Sequence, residues 1–199
     1  MKKTVLTAII CAMTAISPLF GTQSLSFTGP SAIDITTTNT FAVSLNLTFS
    51  GYNALGLSYW FEVQNALAPF LTITNVIHHP PFVSGADPVP ISFIGGGDPG
   101  YSSTSAGFGG TATMGAPPGT YPVADFTFML APGAPLGMYD LRSTTTSPRT
   151  SEVTDTDFND NNLPAAHFTI NIVPEPSTLV LLSLAGVGLG MSIYRRRNR

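Results

Sequence analysis

The chain has 199 residues, 43% of them hydrophobic and only 10% charged, which suits one globular domain with appendages and excludes a disordered polymer. Six of its eight basic residues sit at the two ends (Lys2, Lys3, Arg195, Arg196, Arg197, Arg199), while between residues 25 and 173 ten acids face two arginines, Arg142 and Arg149. That body cannot track a phosphate backbone, so nucleic-acid binding is excluded.

Lys2-Lys3 opens a mostly apolar run from Val5 to Phe20, followed by the small or polar residues Gly21 to Ser24. This is the layout of a secretory signal peptide over 1–24, cut between about Gly21 and Leu25 and implying the Sec machinery and signal peptidase as partners. Cys11, the only cysteine, falls inside that leader, so the exported chain has no thiol for a disulfide, a nucleophile or a metal.

Residues 25–172 predict an all-β body. Phe41, Val43, Leu45, Leu47 and Phe49 alternate with Ala42, Ser44, Asn46 and Thr48, as a half-buried strand requires. Leu57, Tyr59, Phe61 and Val63 then alternate with Ser58, Trp60, Glu62 and Gln64, so Trp60 and Glu62 are expected outward. Further strands are predicted over 70–77, 89–94, 121–130, 137–143 and 165–173, with weaker ones near 25–27, 33–36 and 108–114. About nine strands without a sustained helical period predict a two-sheet antiparallel sandwich.

The alternating strand 41–49, the segment Leu55-Gly56-Leu57-Ser58-Tyr59-Trp60-Phe61, and the late segments 121–128 and 135–141 resemble in order the jelly roll of cohesin-type domains. The resemblance implies a recognition module that uses a sheet face, and the outward Trp60 is the candidate ligand residue, since an exposed ring stacks on a sugar or a partner.

Other chemistry is weighed on single motifs. Gly95-Gly96-Gly97-Asp98-Pro99-Gly100 satisfies G-x-G-x-x-G, yet Pro99 and the Ser/Thr run after it predict a flexible glycine-rich loop over 95–119, without the helix that pyrophosphate binding needs. Asp155, Asp157 and Asn159 place oxygen donors at alternate positions, as in the first half of an EF-hand loop, making calcium the candidate ion; the twelfth position is Ala166 where that loop has glutamate. The alternative is an Asx-rich surface turn. His78 and His79, being adjacent on an extended chain, point apart and do not share a metal. No G-x-S-x-G turn is present, so a secreted hydrolase stands only as the alternative of another class.

Beyond the body, Pro174-Glu175-Pro176 removes two backbone donors and keeps the chain extended. Uncharged residues 178–194 follow, seventeen in number and roughly 26 Å long as a helix, which is enough for a short transmembrane span. Arg195, Arg196 and Arg197 form a cytoplasmic stop, leaving the body outside. Together, residues 173–199 resemble the PEP-CTERM sorting signal of exopolysaccharide-producing Gram-negative bacteria. The resemblance implies exosortase, a membrane protease, as the partner that cuts near the motif after transient anchoring in the inner membrane. The expectation is therefore a non-catalytic structural or adhesive protein of the cell surface or extracellular polysaccharide matrix. A carbohydrate- or protein-binding module is the alternative.

Overall fold

The structure is a computed structural model and describes residues 21–35, 38–83, 87, 89–146 and 148–173. Cys11 and the tail expectations (Pro174, Glu175, Pro176, the span 178–194, and Arg195 to Arg197) lie outside the described residues.

One layer is a five-stranded sheet in the order β1 (Gln23–Thr28), β3 (Thr40–Phe49), β10 (Gly119–Leu130), β6 (Leu71–His78) and β7 (Ile91–Ser92). The alternation of β3 has the effect its pattern requires: Phe41, Val43, Leu45, Leu47 and Phe49 are all buried. On β10, Ala124, Phe126, Phe128 and Leu130 are buried likewise. Pro122 stands in this central strand because the register with β3 shifts between Pro122 and Ala124, and the pairing with β6 reaches only to Ala124. A proline within a sheet belongs at such an irregularity, where no ladder donor is missed.

The facing layer has two parts. β2 (Ile33–Asp34), β14 (His167–Val173), β11 (Gly137–Ser143), β5 (Phe61–Gln64) and β8 (Tyr101–Ser103) form one sheet; β13 (Asp160–Asn162), β12 (Glu152–Asp155), β4 (Ala54–Tyr59) and β9 (Phe108–Ala116) form the other. All pairings are antiparallel except β14 with β2. The layers meet through aromatic rings: Phe126 of β10 packs edge-on against Phe61 at 4.8 Å and Phe108 at 5.1 Å, both from the opposite layer.

Three expectations change. The chain has fourteen strands among the described residues, against about nine, because β8, β12 and β13 are short and polar and leave no apolar alternation to read. The single strand expected over 57–64 is two, β4 and β5, which pair in different sheets; between them the carbonyl of Trp60 accepts from the Thr144 amide. The loop expected over 95–119 is built instead: it holds β8 and all of β9, and the amides of Asn65 and Tyr101 donate to the carbonyls of Gly100 and Asp98.

Candidate functional site

The outer face of the β14–β11–β5–β8 sheet, with the loops over it, gathers both arginines of the body and three of its ten acids. Glu62 on β5 does face away from the core, as alternation requires, but it is only 1% exposed, because the 95–100 loop lies over it. Gly97 permits this approach: a Cβ there would stand 2.5 Å from Glu62 Oε2. The Asp98 amide donates to the same oxygen at 2.9 Å.

Arg142, the register partner of Glu62 on β11, closes the arrangement. Its Nε donates to Glu62 Oε1 and its terminal nitrogen to Asp98 Oδ2, both at 2.7 Å, while the guanidinium lies 3.8 Å from the centre of the Tyr101 ring. Tyr101 donates its hydroxyl to Asp140, which also meets His167 Nδ1 at 2.9 Å. Burial, and then the Asp140 contact, raise the Tyr101 phenol above its ordinary range. Thr146 donates to the second oxygen of Asp98, and Arg149 to the Gly95 carbonyl. Both arginines of the body therefore hold the 95–100 loop, Arg142 from β11 and Arg149 from the segment between β11 and β12.

Trp60 borders this face and is half-buried. A Cβ on Gly107 would fall 2.5 Å from the indole Cε2, and the Arg149 guanidinium lies 5.3 Å from the ring centre. The indole is wedged between loop backbone and a cation, which gives it a packing role in holding the loops.

Ser44, His79 and Asp125 come together, but not in the order of a serine triad. Ser44 donates to Asp125 Oδ1 at 2.5 Å and His79 meets Asp125 Oδ2 at 2.8 Å, so the acid stands between the serine and the histidine. Activation of a serine needs the histidine in that middle position. Ser44, followed by His79, holds the Asp125 carboxyl below the usual range. His78 is bound separately to Asp87 at 2.8 Å. After the glycine run comes strand β8, with no helix terminus to receive a phosphate.

The candidate calcium residues lie on the β12–β13 hairpin. Asp155 Oδ1 accepts from the amides of Asp157 and Asn159, each at 2.9 Å, and the side-chain amides of Asn159 and Asn161 approach the same carboxylate. Its oxygens thus face N–H hydrogens, and a cation would have to displace them. Among the described residues no group of three His, Cys, Asp or Glu side chains converges to hold a metal. The Asn159 amide, foremost among these donors, keeps the Asp155 carboxyl below the usual range. A carboxyl so depressed in the fold adds stability that is present above its unfolded value and lost as pH falls through the folded one. The thermal midpoint should therefore fall on acidification from pH 5 to pH 2. Asp155→Asn should flatten that fall, and calcium should leave the neutral-pH midpoint unchanged. A calcium-dependent rise would restore the metal reading.

Residues 173–197 match the PEP-CTERM protein-sorting motif. The chain carries a PEP-CTERM sorting signal. Upstream of it, the body is similar to a cohesin module from a Clostridium perfringens family 33 glycoside hydrolase, with 13% identity over 77% of this chain and 98% of that one and a TM-score of 0.50. It is also similar to a non-cellulosomal cohesin from Archaeoglobus fulgidus, at 12% identity over 78% and 95% with a TM-score of 0.47. A cohesin in a type I cohesin–dockerin complex from Clostridium thermocellum matches at 7% identity over 75% and 99%, with a TM-score of 0.47. No curated protein matches the chain. The likeness to the Clostridium perfringens module is one of fold, and it agrees with the jelly-roll sandwich expected from strand order.

The Arg142 network was not foreseen. Its one signal in the sequence is that Arg142 and Arg149 are the only cations of an acidic body, which marks them as charges held by partners.

Proposed function

We propose that this chain is an exported, non-catalytic interaction protein of the cell surface or polysaccharide matrix, delivered through the inner membrane of a Gram-negative bacterium and released when exosortase cuts at its PEP-CTERM signal. One observation carries the reading: the last core strand and the sorting signal abut. β14 ends at Val173, the residue at which the sorting motif begins, and Ile170 and Ile172 just before it are buried in the core. A cut beyond Val173 removes the address and leaves the sandwich whole, whereas a cut a few residues earlier would strip a core strand. The same logic applies at the other end. β1 begins at Gln23, and the Thr22 carbonyl accepts from the Ser50 amide at 2.9 Å. Leader removal before Gln23 keeps that strand whole.

Intact-mass measurement of the exported form tests both boundaries. The expected mass begins at or before Gln23 and ends beyond Val173 but short of Arg199. Replacing Pro174 and Pro176 together with alanine should leave the uncut chain accumulating in the membrane fraction. A surface form that keeps the whole tail, or a terminus inside β14, would overturn the proposal.

A further inference from the structure

The β12–β13 hairpin breaks a local rule at a residue whose own side chain gains little burial by it. The Asp155 amide donates to the Asn159 carbonyl and the Phe158 amide to the Asp155 carbonyl, so the loop between them is Thr156 to Phe158. In three-residue hairpin loops the last residue turns to positive φ, a position that glycine normally fills. Here it is Phe158, at φ 63°, the one non-glycine residue with positive φ among the described residues. Its side chain recovers little burial in exchange, being 80% exposed. The Asp155 carboxylate, bound to the Asp157 and Asn159 amides, holds the loop in this shape.

A second bulky apolar residue stands on β9, which β4 separates from β12 in the sheet: Met114 is 97% exposed. Its neighbour Gly115 lies against the same loop, where a Cβ would sit 3.1 Å from Thr156 Cγ2. Exposed Asp157 and Asp160 flank Phe158. The tip is an exposed aromatic with an acidic rim, held open in advance. Such a pre-formed aromatic is the usual shape of an interface anchor, because little ordering remains to be done on binding, and a local rule broken at an exposed side chain is characteristic of functional positions.

We propose that Phe158 is the docking anchor for a protein partner that offers an apolar pocket rimmed by lysine or arginine. Charge decides the class of occupant. An anionic lipid surface is repelled by Asp157 and Asp160. A second processed copy supplies only Arg142 and Arg149 as cations, and both are engaged within their own molecule. The assignment rests on the reading of the body as an interaction module, but its test does not depend on tail processing, which intact mass reads separately.

p-Benzoylphenylalanine placed at position 158 of the full chain, in the cell that exports it, should give a protein adduct on irradiation. The same probe at position 138, where Met138 is 73% exposed on β11, should not. The partner recovered from the adduct, once purified, should bind the exported body, and Phe158→Asn should weaken that binding at least tenfold. The unfolding midpoint of that variant should hold or rise, since asparagine accepts positive φ. Equal adducts at both positions, adducts to glycan or lipid alone, no adduct, or undiminished binding by Phe158→Asn would each overturn the proposal.

Discussion

Arg142→Met should destabilise the body by about 3–5 kcal/mol, the cost of leaving a buried carboxylate without its partner. Glu62 is 1% exposed and accepts from Arg142 and from the Asp98 amide; without the guanidinium its negative charge remains under the loop with a single donor. For a domain whose whole stability is about 5–15 kcal/mol, that is a large share. Asp98 loses its anchor in the same step, so the 95–100 loop should become the first site of proteolytic nicking. The double variant Glu62→Leu with Arg142→Met should recover most of the loss, because removing both charges removes the desolvation penalty as well. Urea unfolding of the single and double variants measures the coupling. A single-variant cost below about 1 kcal/mol would mean that Glu62 reaches water when Arg142 is gone and that the loop is not a true cover.

How far the sequence foretold this arrangement differs from strand to strand. β3 was legible residue by residue because one of its faces is buried along its whole length, and a one-sided burial writes itself as strict alternation. β4 and β5 were legible as burial but not as topology. The alternation runs unbroken through Trp60 while the pairing partners change from β9 and β12 to β8 and β11, and periodicity records faces without recording partners. β8, β12 and β13, with sequences Tyr-Ser-Ser, Glu-Val-Thr-Asp and Asp-Asn-Asn, owe their form to backbone pairing with neighbours already in place, so their side chains carry almost no strand signal. Glu62 and Arg142 lie 80 positions apart and become neighbours only through the β5–β11 register. Asp155 shows a subtler limit: oxygen donors at alternate positions suit a cation and suit a cluster of amides equally, and only the directions of the N–H groups separate the two.

Phe126→Ala should cost about 3–5 kcal/mol, the range for removing a fully buried aromatic ring. The ring lies between the two layers with no exposed surface and touches Tyr59, Phe61 and Phe108 of the facing layer. The loss should be felt in full, because a chain with a single cysteine, Cys11, can form no disulfide within itself, and core burial is what opposes unfolding. Phe158→Ala provides the contrast within one residue type. It removes the same atoms from an exposed position, so the change in stability should stay within about 0.5 kcal/mol by the same denaturation measurement. If both variants lost stability alike, Phe158 would have to be packed against the body, and the docking anchor would fail with it. If Phe126→Ala cost little, the two layers would not share one core, and the sandwich could not serve as the rigid frame that positions Arg142 on one face and Phe158 at the tip.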